Sequence, residues 1–97
     1  MPVKTAKMVM SLESVEPDEA KHLQTINFQG TELGTTKKAW FILDGKPFET
    51  KATPVPNEPT KATAVVPDTW PAGSGQVYLE GSRDRRSNTV PLDVISA

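Results

Sequence analysis

Lys38-Ala39-Trp40-Phe41-Ile42-Leu43-Asp44-Gly45 is the stretch that decides the fold. Residues 38–43 are the most apolar run of the chain, and a run this short is strand length rather than helix length. It ends in Asp44-Gly45, a dipeptide that supplies the positive φ angles of a tight hairpin. Ala39, Phe41 and Leu43 alternate with Lys38, Trp40 and Ile42, so the first three face a core and the others face outward. The return strand runs from Lys46 to about Thr53.

The same period of two recurs on both sides of this hairpin. Ser11 to Val15 reads as a strand closed by Glu16-Pro17-Asp18, with a short helical turn over Pro17–Lys21 as an option because Pro suits an early helical position. Leu23 to Gly30 is the next strand, with Ile26 and Phe28 inward. Pro54 to Pro59 holds three prolines in six residues; it cannot supply a full ladder of donors and reads as a loop or an edge crossing. Thr60–Val66 is a strand closed by Pro67, and Trp70–Gly75 is a second loop. Gln76–Gly81 is a strand, Ser82–Ser87 a charged turn, and Asn88–Ile95 the last strand. Pro91 places that strand at an edge or beside an unpaired position. About seven short strands at this spacing predict an all-β, antiparallel β-sandwich over residues 11–97, to which the resemblance described below adds the Ig-like arrangement, preceded by an N-terminal arm over residues 1–10. Its expected core is Ile26, Phe28, Ala39, Phe41, Leu43, Ala62, Ala64, Val66, Val77, Leu79, Val90, Leu92 and Val94.

Composition removes several function classes. The chain has 97 residues, enough for one modest core. Nine prolines disfavour long helices. With no Cys and one His, disulfides, thiolate nucleophiles and multi-His metal sites are excluded. A net charge of −1 provides no general field for nucleic acid. There is neither an apolar run of membrane-spanning length nor the apolar core of a secretory signal.

The order of motifs resembles the IPT/TIG immunoglobulin-like family over about residues 12–95. Leu12-Glu13-Ser14-Val15-Glu16-Pro17 is similar to its opening, and Ile26-Asn27-Phe28-Gln29-Gly30-Thr31-Glu32-Leu33-Gly34 to its glycine-bend segment. Ala39–Gly45, Ala64-Val65-Val66-Pro67, Gly75–Leu79 and Ser87-Asn88-Thr89-Val90-Pro91-Leu92 match its later strands in order. Two places depart from the pattern: Asp18–Lys21 stands where the family has a glycine-rich turn, and the proline stretch at 54–59 is longer than usual. The resemblance implies a fold and brings no catalytic residues. A Cys-free Ig-like chain beginning at Met also resembles the small accessory proteins that decorate phage heads or tails. That implies a virion protein assembled in the host cytoplasm. The alternative is an excised domain of a cell-surface protein.

Few residues are equipped for chemistry. His22 has no nucleophile elbow to serve, so no catalytic role is expected. Glu13, Glu16, Asp18 and Glu19 lack the loop pattern of a calcium site and read as a solvated acidic turn. No metal, cofactor or enzymatic activity is expected. The binding candidates are Met8, Val9 and Met10 on the arm; Trp40, Ile42 and Tyr78 as an outward strip; and Arg83, Arg85 and Arg86 on the last hairpin, where an acidic partner surface would be met. Trp70 reads as a plug at one end of the sandwich. The leading expectation is a structural module docking on a capsid or tail protein, with self-association open to it and no membrane partner. The alternative is a carbohydrate- or host-surface-binding module using Trp40, Tyr78, Trp70 and the Arg loop.

Overall fold

The computed structural model describes residues 10–82 and 85–95. Eight strands form along them: β1 (Ser11–Glu16), β2 (Glu19–Lys21), β3 (Thr25–Thr31), β4 (Thr36–Leu43), β5 (Lys46–Val55), β6 (Glu58–Val65), β7 (Gly73–Gly81) and β8 (Val90–Ile95). The ladder order is β1-β3-β6-β5-β4-β7-β8-β2. Every pair is antiparallel except β2–β8, which is parallel. The chain is an all-β sandwich of the Ig-like kind, with its ladder running from one layer into the other.

Two places join the layers. Residues 46–51 of β5 pair with β4, whereas Ala52–Val55 pair with β6. On the opposite side, β1 pairs with β3, the chain crosses through the cis peptide Glu16–Pro17, and β2 pairs with β8. That side is latched by Asn88. Its Oδ1 accepts from the Leu12 amide at 2.7 Å, and its Nδ2 donates to the Leu12 carbonyl at 3.0 Å. One side-chain amide thus replaces a backbone partner for the start of β1.

The core follows the period-two reading. Of the thirteen expected core residues, all but Leu43 are buried, and Leu43 is partly buried against the cluster. Met10, Leu12, Val15, Ala20, Leu33, Ala52 and Trp70 join them. Asp44 (φ 55°) and Gly45 (φ 78°) turn β4 into β5 with both central residues in the left-handed region, as a type I′ hairpin needs. A Cβ on Gly30 would overlap the Ser11 carbonyl, so the β1–β3 approach requires glycine there.

Four local expectations are corrected. The helical turn over 17–21 is instead strand β2, because the main chain there hydrogen-bonds to β8, with Asp93 N donating to Asp18 O at 2.8 Å. The loop expected from Pro54 is strand as far as Val55, and β6 begins at Glu58; a register shift at Pro54/Val55 absorbs the missing donor. The loop expected over 70–75 gives way at Gly73 to β7, since Gly73, Ser74 and Gly75 pair with Val94, Asp93 and Leu92. The last strand starts at Val90 rather than Asn88, because Asn88 is spent on the latch. Pro91 sits opposite Gln76 on β7, while β2 reaches only Asp93–Ile95. Its missing donor therefore falls at an unpaired position, as expected.

Candidate functional site

The outward strip of β4 becomes a site through register. Trp40 lies directly opposite Tyr78 on β7 and Glu49 on β5. Lys38 lies opposite Glu80 and Lys51, and Ile42 opposite Gln76 and Pro47. Because Ala39, Phe41, Val77 and Leu79 are fully inward, these neighbours project from the other side of the sheet. The Trp40 and Tyr78 rings are 6.3 Å apart between centroids, with planes 11° from parallel. Both residues are partly buried.

Each ring carries a cation against its face. The Lys38 ammonium is 5.9 Å from the Trp40 centroid, and the Arg86 guanidinium is 5.9 Å from the Tyr78 centroid. Carboxylates hold the frame. Trp40 Nε1 donates to Glu80 Oε1 at 2.8 Å, and Lys38 Nζ lies 3.0 Å from Glu49 Oε2. The hydrogen bond and charge of Glu49 raise the Lys38 pKa above its ordinary value, desolvation works against this, and the charge of Glu80 adds a smaller upward push. A backbone bridge sets Arg86 opposite Glu80, and beside it Ser87 N donates to the Leu79 carbonyl while Ser87 Oγ accepts from the Leu79 amide. The face is therefore an interlocked set of Lys38, Trp40, Tyr78, Arg86, Glu49 and Glu80. It holds no nucleophile paired with a base.

The other sequence-predicted residues are distributed differently. Arg85 is exposed on the β7–β8 connection, where its carbonyl accepts from Gly81 N at 2.8 Å. Ile42 is partly buried on the same face as Trp40. Met8, Val9 and Arg83 lie outside the described residues. Met10, expected on the docking arm, is 3% exposed and belongs to this chain's own core. The Asn88 latch on Leu12 draws the start of β1, and Met10 with it, against the sandwich.

Trp70 is the plug that its position suggested. It is 2% exposed, its ring is 5.1 Å from Phe41, and its Nε1 donates to the Glu49 carbonyl at 3.4 Å. No face is left for a sugar. His22 serves the same plug: its Nε2 is 2.6 Å from the Trp70 carbonyl, so that nitrogen carries the proton and donates. Glu13, Glu16, Asp18 and Glu19 are all exposed, and among the described residues no three metal-ligating side chains converge.

The sequence reading missed Lys38, Glu49 and Glu80. Charge alternating with the aromatic residues along β4 and β7 was the only local sign of them, and their convergence depends on the three-strand register.

No family model matches the chain, and no curated protein matches it. Among solved structures, the fold is similar to the SGBP-B protein of the Bacteroides ovatus mixed-linkage glucan utilization locus, solved in complex with a mixed-linkage heptasaccharide. The TM-score is 0.62 at 15% identity, over 88% of this chain and 22% of the other. The chain thus spans about a fifth of that protein, and the likeness is one of fold.

Proposed function

We propose that this protein is a non-catalytic Ig-like binding module that docks an acidic protein surface through the Trp40–Tyr78 face. The cation-capped aromatic pair carries the reading. Trp, Tyr and Arg are the side chains that dominate protein interfaces, and here they stand together, with Trp40 already held by Glu80. Lys51, Lys38 and Arg86 form a basic border on one side of the rings, interrupted only by Glu80, and that border fits a partner surface bearing carboxylates. Membership of the IPT/TIG family and a place on a phage shell or tail belong to this proposal.

The test is site-directed photo-crosslinking in the producing cells, with the crosslinker at position 40 or 78 and, as control, at Thr25 on the other sheet. A discrete protein adduct from positions 40 and 78, absent from position 25 and lost in high salt, is expected. Equal labelling from all three positions, or none from 40 and 78, overturns the docking reading.

A second reading is supported by the parallel ring pair and by the heptasaccharide-bound neighbour. A glycan would lie across Trp40 and Tyr78 after Lys38 and Arg86 swing off the ring faces. Glycan-array binding abolished by Trp40→Ala and Tyr78→Ala would select it, and a blank array would remove it.

A further inference from the structure

The opposite sheet carries a second feature that the docking face does not use. The outer surface of β1, β3 and β6 holds a cleft of about 220 Å³. Ser14, Glu16, Asn27, Gln29, Val55 and Lys61 line it, over a floor that includes buried Ala62. Two irregularities in the ladder flank the cleft. One register shift in β1 lies between Leu12 and Ser14, and the other, in β5, lies between Pro54 and Val55. Such bulges re-aim side chains and gather next to functional sites. A more open shelf continues the cleft along β1, sharing Ser14, Glu16 and Asn27.

The polar groups here are placed in order and unspent. Gln29 lies between Ser14 on β1 and Lys61 on β6, and Asn27 lies between Glu16 and Thr63. Among the described residues, the side chains of Ser14, Glu16, Asn27 and Gln29 make no hydrogen bond to other protein groups, whereas those of the Trp40 face are engaged with one another. Lys61 reaches Glu58 at 3.6 Å, a loose pair between exposed groups. The cleft therefore offers one hydroxyl, two amides, one carboxylate and one ammonium. Each amide is both donor and acceptor. Glu16 and the Glu58 beside Lys61 outweigh the one ammonium, which disfavours an anionic ligand. Val55 supplies an apolar contact at the rim.

We infer that this cleft binds a neutral saccharide unit. Vicinal hydroxyls, each a donor and an acceptor, match paired amides backed by a carboxylate. The cleft itself lies below the roughly 300–1,000 Å³ of drug-sized sites, so it takes one unit, and the open shelf along β1 leaves room for a longer chain to run on from it. This inference does not rest on the docking reading, since it uses the other sheet.

The test is amide-resolved NMR of the labelled protein titrated with glucose, galactose, cellobiose and laminaribiose, with glucuronate as the charged control. Saturable shifts are expected at Ser14, Asn27, Gln29 and Lys61 and in the side-chain amides of Asn27 and Gln29, with glucuronate weaker. The double variant Asn27→Ala/Gln29→Ala loses two hydrogen bonds, each worth roughly two- to tenfold, so affinity should fall roughly four- to a hundredfold. Its dispersed spectrum reports that it is folded, because both side chains are exposed. Trp40→Ala should leave the cleft shifts unchanged. No saturable shift at these residues with any neutral sugar overturns the inference. Shifts centred on Trp40 and Tyr78 overturn it as well and favour the glycan reading of the other face.

Discussion

Replacing Trp70 by Ala tests whether the two tryptophans divide into one that builds the fold and one that serves its surface. Trp70 is 2% exposed, stacks on Phe41 at 5.1 Å, and holds His22 and the Glu49 carbonyl through polar contacts. Emptying such a site costs about 3–5 kcal/mol. A domain of this size has about 5–15 kcal/mol in total, so the variant should keep the fold only narrowly. At about 4–8 °C per kcal/mol, the melting temperature should fall by roughly 12–40 °C. Trp40→Ala removes one hydrogen bond and one ring pair from a partly buried residue, for about 1–2 kcal/mol. Guanidinium unfolding followed by far-ultraviolet circular dichroism reads both without relying on tryptophan emission. If Trp70→Ala does not fold, Trp70→Phe retains the stack on Phe41 and should lose about 1–2 kcal/mol. A Trp70→Ala cost below about 1.5 kcal/mol, or one no larger than that of Trp40→Ala, would refute the assignment of Trp70 as the plug.

Other positions make separate claims. Asn88→Ala should cost about 1–3 kcal/mol in chemical unfolding although Asn88 is an exposed residue, because the Leu12 amide and carbonyl lose their partner; a neutral result would show the latch to be idle. In chemical unfolding Gly30→Ala should destabilise more than Gly45→Ala, because at Gly30 the methyl meets backbone whereas at Gly45 it meets nothing within 4 Å and costs only the left-handed φ, about 1–2 kcal/mol. Leu23 is 68% exposed with φ 68°, so Leu23→Asn should raise stability by about 0.5–1 kcal/mol by relieving left-handed backbone strain; unchanged stability would refute the strain. The raised Lys38 pKa gives its ion pair a definite sign. Any stabilisation is present in full below the ordinary value of 10.5 and is lost as pH rises through the raised value. Glu49→Gln should bring Lys38 back toward ordinary titration in NMR, and an unmoved Lys38 would place the cause elsewhere.

Legibility tracked the distance over which each feature is specified. β3, β4, β7 and β8 were readable because Ile26/Phe28, Ala39/Phe41, Val77/Leu79 and Val90/Leu92/Val94 alternate within a few residues. β2 was unreadable because three residues, Glu19-Ala20-Lys21, carry no period, and only their pairing with β8 makes them a strand. The extension of β5 through Pro54 depends on a bulge, which local composition does not announce. Met10 was misplaced because its burial depends on a contact between Leu12 and Asn88, 76 positions apart. At the candidate site, Trp40 and Tyr78 were assigned to outward positions by alternation alone, and their pairing came from the register of β4 and β7. The cations on their rings and the carboxylates behind them needed the register of β5, β4 and β7. The saccharide cleft left no local trace, since Ser, Asn and Gln on an outward face look like ordinary solvated residues until two bulges gather them.

The two layer crossings have a consequence for how copies of this protein meet. Each layer is bounded by strands that leave it partway: β5 on one side, and β1 continuing as β2 on the other. Among the described residues, the open backbone edges are therefore short: residues 46–51 of β5 pair only with β4, and β1 pairs only with β3. Strand addition thus has two segments of strand length, one on each side of the sandwich, rather than one edge running the length of a layer.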